Sequence, residues 1–243
     1  MIVDATKLDH RQLNNALREG IGQGEQLFDL GNVTGQRYIA AGITVPVGIT
    51  IDGVPGNDLG AFMDGPLIRV NGNGQDGVGN TMNSGLIVID GDARDLTGHS
   101  MRGGRIYVRG DVGYRVGIHM KSYERLFPVI VVGGRAGDFT GEYMAGGVIV
   151  ILNLRASAEQ PVGNLAGTGM HGGTIYVRGG LDEQKLGREV KILPLEQKDH
   201  ELLRGLAAEF SQYFPQSAFE YRGGVFLKLM PLSHRPYGRL YAY

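Results

Sequence analysis

Short strands with Ile or Val at every second place recur through the middle of the chain, nearly all followed by glycine. They read "GITIDG" (48–53), "LIRVNG" (67–72), "LIVIDG" (86–91), "RIYVRG" (105–110), "VIVVGG" (129–134), "VIVILN" (148–153) and "TIYVRG" (174–179). The second position is isoleucine every time: Ile49, Ile68, Ile87, Ile106, Ile130, Ile149 and Ile175. The fourth is Ile51, Val70, Ile89, Val108, Val132, Ile151 and Val177. A period of two turns these side chains to one face of a strand. Heptads and helical hairpins need 3.5 or 3.6, and a dinucleotide-binding α/β unit needs a helix between its strands, so the spacing excludes them.

The unit is 19 residues long, as in 67–85 against 86–104, with five extra residues before the strand at 129 and seven before that at 174. Glycine recurs at 53, 72, 91, 110, 134 and 179, and again at 60, 79, 98, 117, 141 and 167. Methionine stands three residues beyond that second glycine each time, at Met63, Met82, Met101, Met120, Met144 and Met170. Stacked at about 4.8 Å, such units lay like on like, Ile on Ile and Met on Met. The prediction is an all-β fold, a single right-handed parallel β-helix of about seven 19-residue coils over 48–180, roughly 30 Å tall.

Both ends depart from the repeat. "DHRQLNNALREG" (9–20) predicts a short helix with Leu13 and Leu17 on one face behind an Asp9 cap, and 29–47 reads as a degenerate first coil. Residues 1–47 then form an N-terminal cap. Residues 194–214 predict an amphipathic helix presenting Leu202, Leu203, Leu206 and Phe210, followed by a strand and an irregular tail. Residues 181–243 then form a C-terminal cap. Short helical caps at both ends would keep the open sheet edges from pairing with other chains. The outward places hold Leu67, Leu86, Val88, Val129, Val131, Val148 and Val150, a stripe that needs cover, either from a partner or, as expected here, from the chain's own terminal helices.

Composition narrows the chemistry. Glycine supplies 41 of 243 residues, proline 9, and there is neither cysteine nor tryptophan. Disulfides, thiolate metal sites, iron–sulfur clusters and a cysteine nucleophile are thereby excluded. The net charge of −1 makes no case for nucleic acid or an anionic membrane. No apolar run approaches the roughly 20 residues of a membrane span, and "MIVDATKLDH" does not resemble a leader, so a cytoplasmic location is expected.

Candidate sites are weak. The glycine-rich stretches lack the lysine and the strand–loop–helix setting of a phosphate loop, and no G-x-S-x-G is present, so Ser100 beside His99 reads as turn chemistry. Among His10, His99, His119, His171, His200 and His234, three (His99, His119 and His171) occupy similar corners of different coils. A metal there would need a third ligand such as Glu142, without supporting spacing. Asp90, Asp92, Asp95 and Asp138 follow strands at turns, where Asp commonly bonds backbone, though two could stack as an acid–base pair. The insertions "KSYERLFP" (121–128), with Tyr123, Arg125 and Phe127, and "LRASAEQPVGN" (154–164) read either as contact loops or as tolerated surface insertions.

"GVPGNDLGAFM" (53–63), "GDARDLTGHSMRGG" (91–104) and "GEYMAGGVIVIL" (141–152) carry a resemblance, and "LGNVTGQRYIAAGI" (30–43) adds to it. Over about 48–180 the chain resembles the C-terminal β-helix domain of the glutamate synthase large subunit, the GXGXG domain. Formylmethanofuran dehydrogenase has a subunit with a similar repeat, and a component of that kind is the alternative expectation. In glutamate synthases glutamine hydrolysis uses an N-terminal cysteine, and glutamate formation uses FMN and an iron–sulfur cluster in a separate barrel. The resemblance therefore implies a stand-alone, non-catalytic scaffold subunit, as in split enzymes. No catalytic, cofactor-binding or metal-binding residue carries over. The implied partners are an amidotransferase-type and an FMN/iron–sulfur synthase-type subunit, with self-association left open. An independent hydrolase with an unrecognised site is the competing expectation from a different class. Glu142 and Tyr143 stand out within the most specific segment as places for a contact.

Overall fold

The computed structural model describes residues 1–155, 160–223 and 226–234. One sheet carries β1 (Ile2–Asp4), β2 (Leu27–Thr34), β3 (Gly48–Val54), β4 (Asp64–Asn71), β5 (Ser84–Ile89), β6 (Arg105–Val108), β7 (Val129–Val132), β8 (Ala145–Ile151) and β9 (Gly172–Arg178) in sequence order. Two further strands, β10 (Val190–Leu193) and β11 (Phe226–Pro231), complete it in the order β9-β11-β10. The helices are α1 (His10–Gly22) and α2 (Gln197–Tyr213).

Every pairing from β1 to β9 is parallel. The register is the one the repeat predicts: Ile49 faces Ile68, then Ile87, Ile106, Ile130, Ile149 and Ile175 in turn. The Ile-on-Ile register holds on either side of the extra residues before β7 and β9. The fold is an all-β parallel solenoid, with six turns between Ile49 and Ile175 rather than seven. Seven counts the strands, and β9 is followed not by another coil but by antiparallel β11.

The core is made of stacked columns. All six repeat methionines are fully buried beside the Ile and Val columns. Each buried Ile or Met contributes about 1.5–3 kcal/mol of burial. Phe28 and Leu30 of β2 pair with Ile49 and Ile51, so 29–47 does form a coil beneath the repeat. Helix α1 lies against that coil, with Leu13 and Leu17 in the core and Arg18 donating to the Ala41 carbonyl at 2.7 Å. Asp9 caps it, accepting from the Arg11 and Gln12 N–H groups at 2.8 Å, while the Gln12 side chain accepts from the Asp9 N–H.

Helix α2 is not an end cap. It lies along the flank, where Leu203, Leu206, Ala207, Phe210 and Phe214 bury the outward Val88, Val129, Val131, Val148 and Val150. The expected cover thus comes from the chain itself, but from α2 and the segments after it, Phe214, Tyr221 and Phe226, rather than from both terminal helices, and over only part of the stripe. Leu67 stays 54% exposed and Leu27 70% exposed. The end past β9 is sealed by a strand, β11, with Leu229 opposite Ile175. The sequence pattern predicts a strand here but not β10, and the irregular tail it predicts falls outside the described residues from 235 onward.

Candidate functional site

The corners before the strands are built alike. In the coil carrying β8, Phe139, Gly141 and Tyr143 all adopt positive φ, at 60°, 72° and 52°. Their N–H groups point alternately: Phe139 donates to the Asn164 carbonyl and Tyr143 to the Thr168 carbonyl in the following coil, while Gly141 donates to that of Val116 in the preceding one. The corners at 58–62, 77–81, 96–100 and 115–119 follow the same scheme. The central position must be glycine: a Cβ on Gly141 would run into Cδ1 of Ile175. The outer two positions point their side chains outward and accept many residue types.

This geometry lines up the third positions, including Ser100, His119 and Tyr143, on one outer edge. His119 and Tyr143 stack, ring centres 5.3 Å apart and planes 9° from parallel, and His99 meets His119 edge-on at 6.2 Å. Burial, then the charge of His119, lowers the pKa of His99. Two residues beyond these third positions stand Arg102 and Lys121, and His171 lies nearby. Together these groups line a shallow cleft of about 250 Å³. Arg102 and Lys121 make no ion pair or side-chain hydrogen bond among the described residues.

Other candidate residues are occupied elsewhere. Glu142 pairs with Arg115 at 2.8 Å, and Arg115 also lies over the Phe139 ring. It therefore does not join the histidines, and no group of His, Asp and Glu suited to a metal occurs among the described residues. His200 lies 2.5 Å from the Tyr221 hydroxyl, His10 packs edge-on to Tyr38, and His234 contacts the His171 carbonyl.

Three of the candidate aspartates serve the next coil's backbone rather than an acid–base pair. Asp92 accepts from the Asp111 N–H at 2.8 Å, Asp95 from Tyr114 at 2.9 Å and Asp138 from Asn164 at 2.7 Å. Asp90 instead pairs with Arg69. Within insertion 121–128 paired bonds between Tyr123 and Leu126 close a tight turn, leaving Tyr123, Arg125 and Phe127 exposed. In insertion 154–164, residues 156–159 lie outside the described residues, and Arg155 approaches Asp92 and Asp111 at 3.7 Å.

Sequence reasoning misses the polar groups that hold α2. Glu209 accepts from both Arg105 and Tyr107 of β6. Asp199, buried, accepts from Tyr176 at 2.5 Å and from buried Lys228 at 2.7 Å. No sequence spacing links these residues. The His119–Tyr143 stack could have been found, since both stand two residues after the second glycine of their units. A third feature, an apolar groove of about 320 Å³ at Leu27, Leu67 and Leu86, marks where α2 stops covering the flank at Tyr213.

Comparison with known proteins bears on this arrangement. The chain is 44% identical over 250 residues to "Uncharacterized protein MJ1350" of Methanocaldococcus jannaschii, across 99% of this chain and 96% of that protein. It also matches the GXGXG motif family over residues 27–221. That span takes in every coil from β2 to β9 and also α2, beyond the 48–180 that the repeat alone delimits. The chain belongs to the GXGXG motif family, that of the glutamate synthase C-terminal domain.

Proposed function

We propose that this chain is a non-catalytic scaffold subunit of a glutamate synthase-type complex in the cytoplasm. It would hold an amidotransferase-type and an FMN/iron–sulfur synthase-type partner in fixed relation. The observation that carries this reading is the family match over 27–221. A sequence without cysteine fits it, because thiol-based glutamine hydrolysis and cluster ligation must then come from elsewhere. The stacked coils suit the role: their buried columns and corner hydrogen bonds make a stiff body that can fix two partners at a set distance.

Co-expression with the two partner subunits tests it. The three should co-elute at fixed stoichiometry, the chain alone should form no glutamate from glutamine, and omitting it should sharply reduce glutamine-dependent synthesis. Partner-free turnover abolished by a point mutation would overturn the reading, as would isolation with molybdopterin-containing subunits instead.

A further inference from the structure

We infer that the corner bearing Ser100, Arg102, His119, Lys121, Tyr143 and His171 is a docking surface for an acidic face of a partner subunit. The inference rests on the scaffold reading and names the surface that reading lacks.

Charge distribution is the first argument. The chain is nearly neutral overall, yet cations gather here. On the coils Arg115 is matched by Glu142, Arg69 by Asp90 and Arg105 by Glu209. Arg102 and Lys121 have no such match among the described residues, so their charges are available across an interface. Charge of one sign on a rigid edge steers an oppositely charged partner and fixes its register.

Rigidity is the second. Tyr143 lies flat on His119, and its ring fills the place where a Cβ of Gly169 would sit. An aromatic side chain immobilised before binding loses little entropy on contact, and Tyr and Arg are enriched among residues that dominate interface energetics. The corner is also continuous with the insertion that starts at Lys121, where Ser122 packs on Gly146 and Leu126 on Gly103. Tyr123 and Arg125 extend the same combination of aromatic and cation.

Shape is the third. The cleft, about 250 Å³, is shallower and more open than pockets that enclose most of a small ligand, which run to roughly 300–1,000 Å³. It suits a few carboxylate side chains presented by a protein surface.

The test measures binding of the purified chain to each purified partner subunit, at low and high salt. The charge reversal R102E/K121E should weaken binding to one partner by about 100-fold and abolish most of its salt dependence. Tyr143→Ala should weaken it by about 10-fold. R222E, a reversal at an exposed cation outside this corner, should leave affinity within about 2-fold. The thermal melt of R102E/K121E should match that of the unsubstituted chain, since neither Arg102 nor Lys121 has an ion-pair partner among the described residues to lose.

If the unsubstituted chain binds a partner and R102E/K121E binds equally well, the docking assignment is overturned while the scaffold reading stands. If the unsubstituted chain binds neither partner, the scaffold reading falls and takes this inference with it. Shifts of the His119 and His171 ring resonances on adding sub-millimolar inorganic phosphate would overturn it in favour of a small-anion site.

Discussion

At the residue level the coils are held by a compromise at each corner. Alternate residues are left-handed so that successive N–H groups can reach the coil above and the coil below. A left-handed non-glycine residue costs about 1–2 kcal/mol, which the inter-coil bonds and core burial must offset. The glycine at the corner's centre is required twice over, by φ and by the Ile side chain against it. Gly141→Ala should therefore cost about 2–5 kcal/mol in denaturant unfolding, combining strain with overpacking. The outer corner places behave oppositely. Leu165, at φ 59° and 42% exposed, meets only the first of those demands. Leu165→Asn should be neutral or stabilising by up to about 1 kcal/mol, because Asn tolerates this conformation better. A destabilisation of Leu165→Asn comparable to that of Gly141→Ala would refute the distinction.

The glycines at 110 and 134 follow a different rule from the one their periodicity suggests. Neither has positive φ. Each sits where the Asp side chain and glycine carbonyl of the coil below come too close for any Cβ. The repeat shows that glycine is needed at both columns but not why, because only the stacked coils reveal which atoms occupy the space. Glu142 and Tyr143 illustrate the same limit. The sequence singles them out, yet whether they face a ligand or one another's neighbours depends on Arg115 and His119, 27 and 24 residues earlier in the preceding coil.

Among the elements, α2 shows what periodicity can and cannot supply. Its apolar face is readable, and so is the stripe it covers. Its placement on the flank rests on Glu209 meeting Tyr107 and on Asp199 meeting Tyr176 and Lys228, contacts between segments that share no pattern. Burial acts to raise the pKa of Asp199, but bonds from the Glu196 N–H, Lys228 and Tyr176 outweigh it and hold the carboxyl below its usual range. Burial likewise opposes, and Arg105 and Tyr107 reverse, the shift at Glu209. Both folded-state values are depressed, so each group adds stability that is fully present above the unfolded carboxylate range of about 4 and is lost below it, as pH falls through the lowered folded values. Hydrogen exchange should accordingly show α2 losing protection on acidification before the inner strands do. Asp199→Asn should give the same selective loss near neutral pH, costing about 3–5 kcal/mol by leaving the buried Lys228 charge with only the exposed Glu196 carboxylate at 3.8 Å. Loss of protection in β5–β8 simultaneous with α2 would contradict this independent attachment.

For the whole molecule, the parallel stack was the most legible feature, because a repeat writes each tertiary contact into the sequence several times. Seven isoleucines at one place in the unit dictate both that strands stack and in what register. The closing elements occur once each, so nothing in the chain reports that β11 runs antiparallel or that β10 exists. The same architecture sets how damage spreads. Each coil touches only its neighbours, so the stack behaves as a one-dimensional array whose integrity depends on every interior interface. Ile149 is fully buried between Ile130 and Ile175. Ile149→Asp places an unpaired charge in that interface, at a cost on the order of several kcal/mol. The lesion should uncouple the coils before β8 from the closing β9–β11 unit, so that thermal unfolding begins far lower and splits into two transitions. An aspartate at Phe28 lies beneath the array rather than inside it, and should loosen the α1 end while leaving β5–β9 protected. An Ile149→Asp variant that melts in one transition at the original temperature would mean that the isoleucine column does not carry the fold.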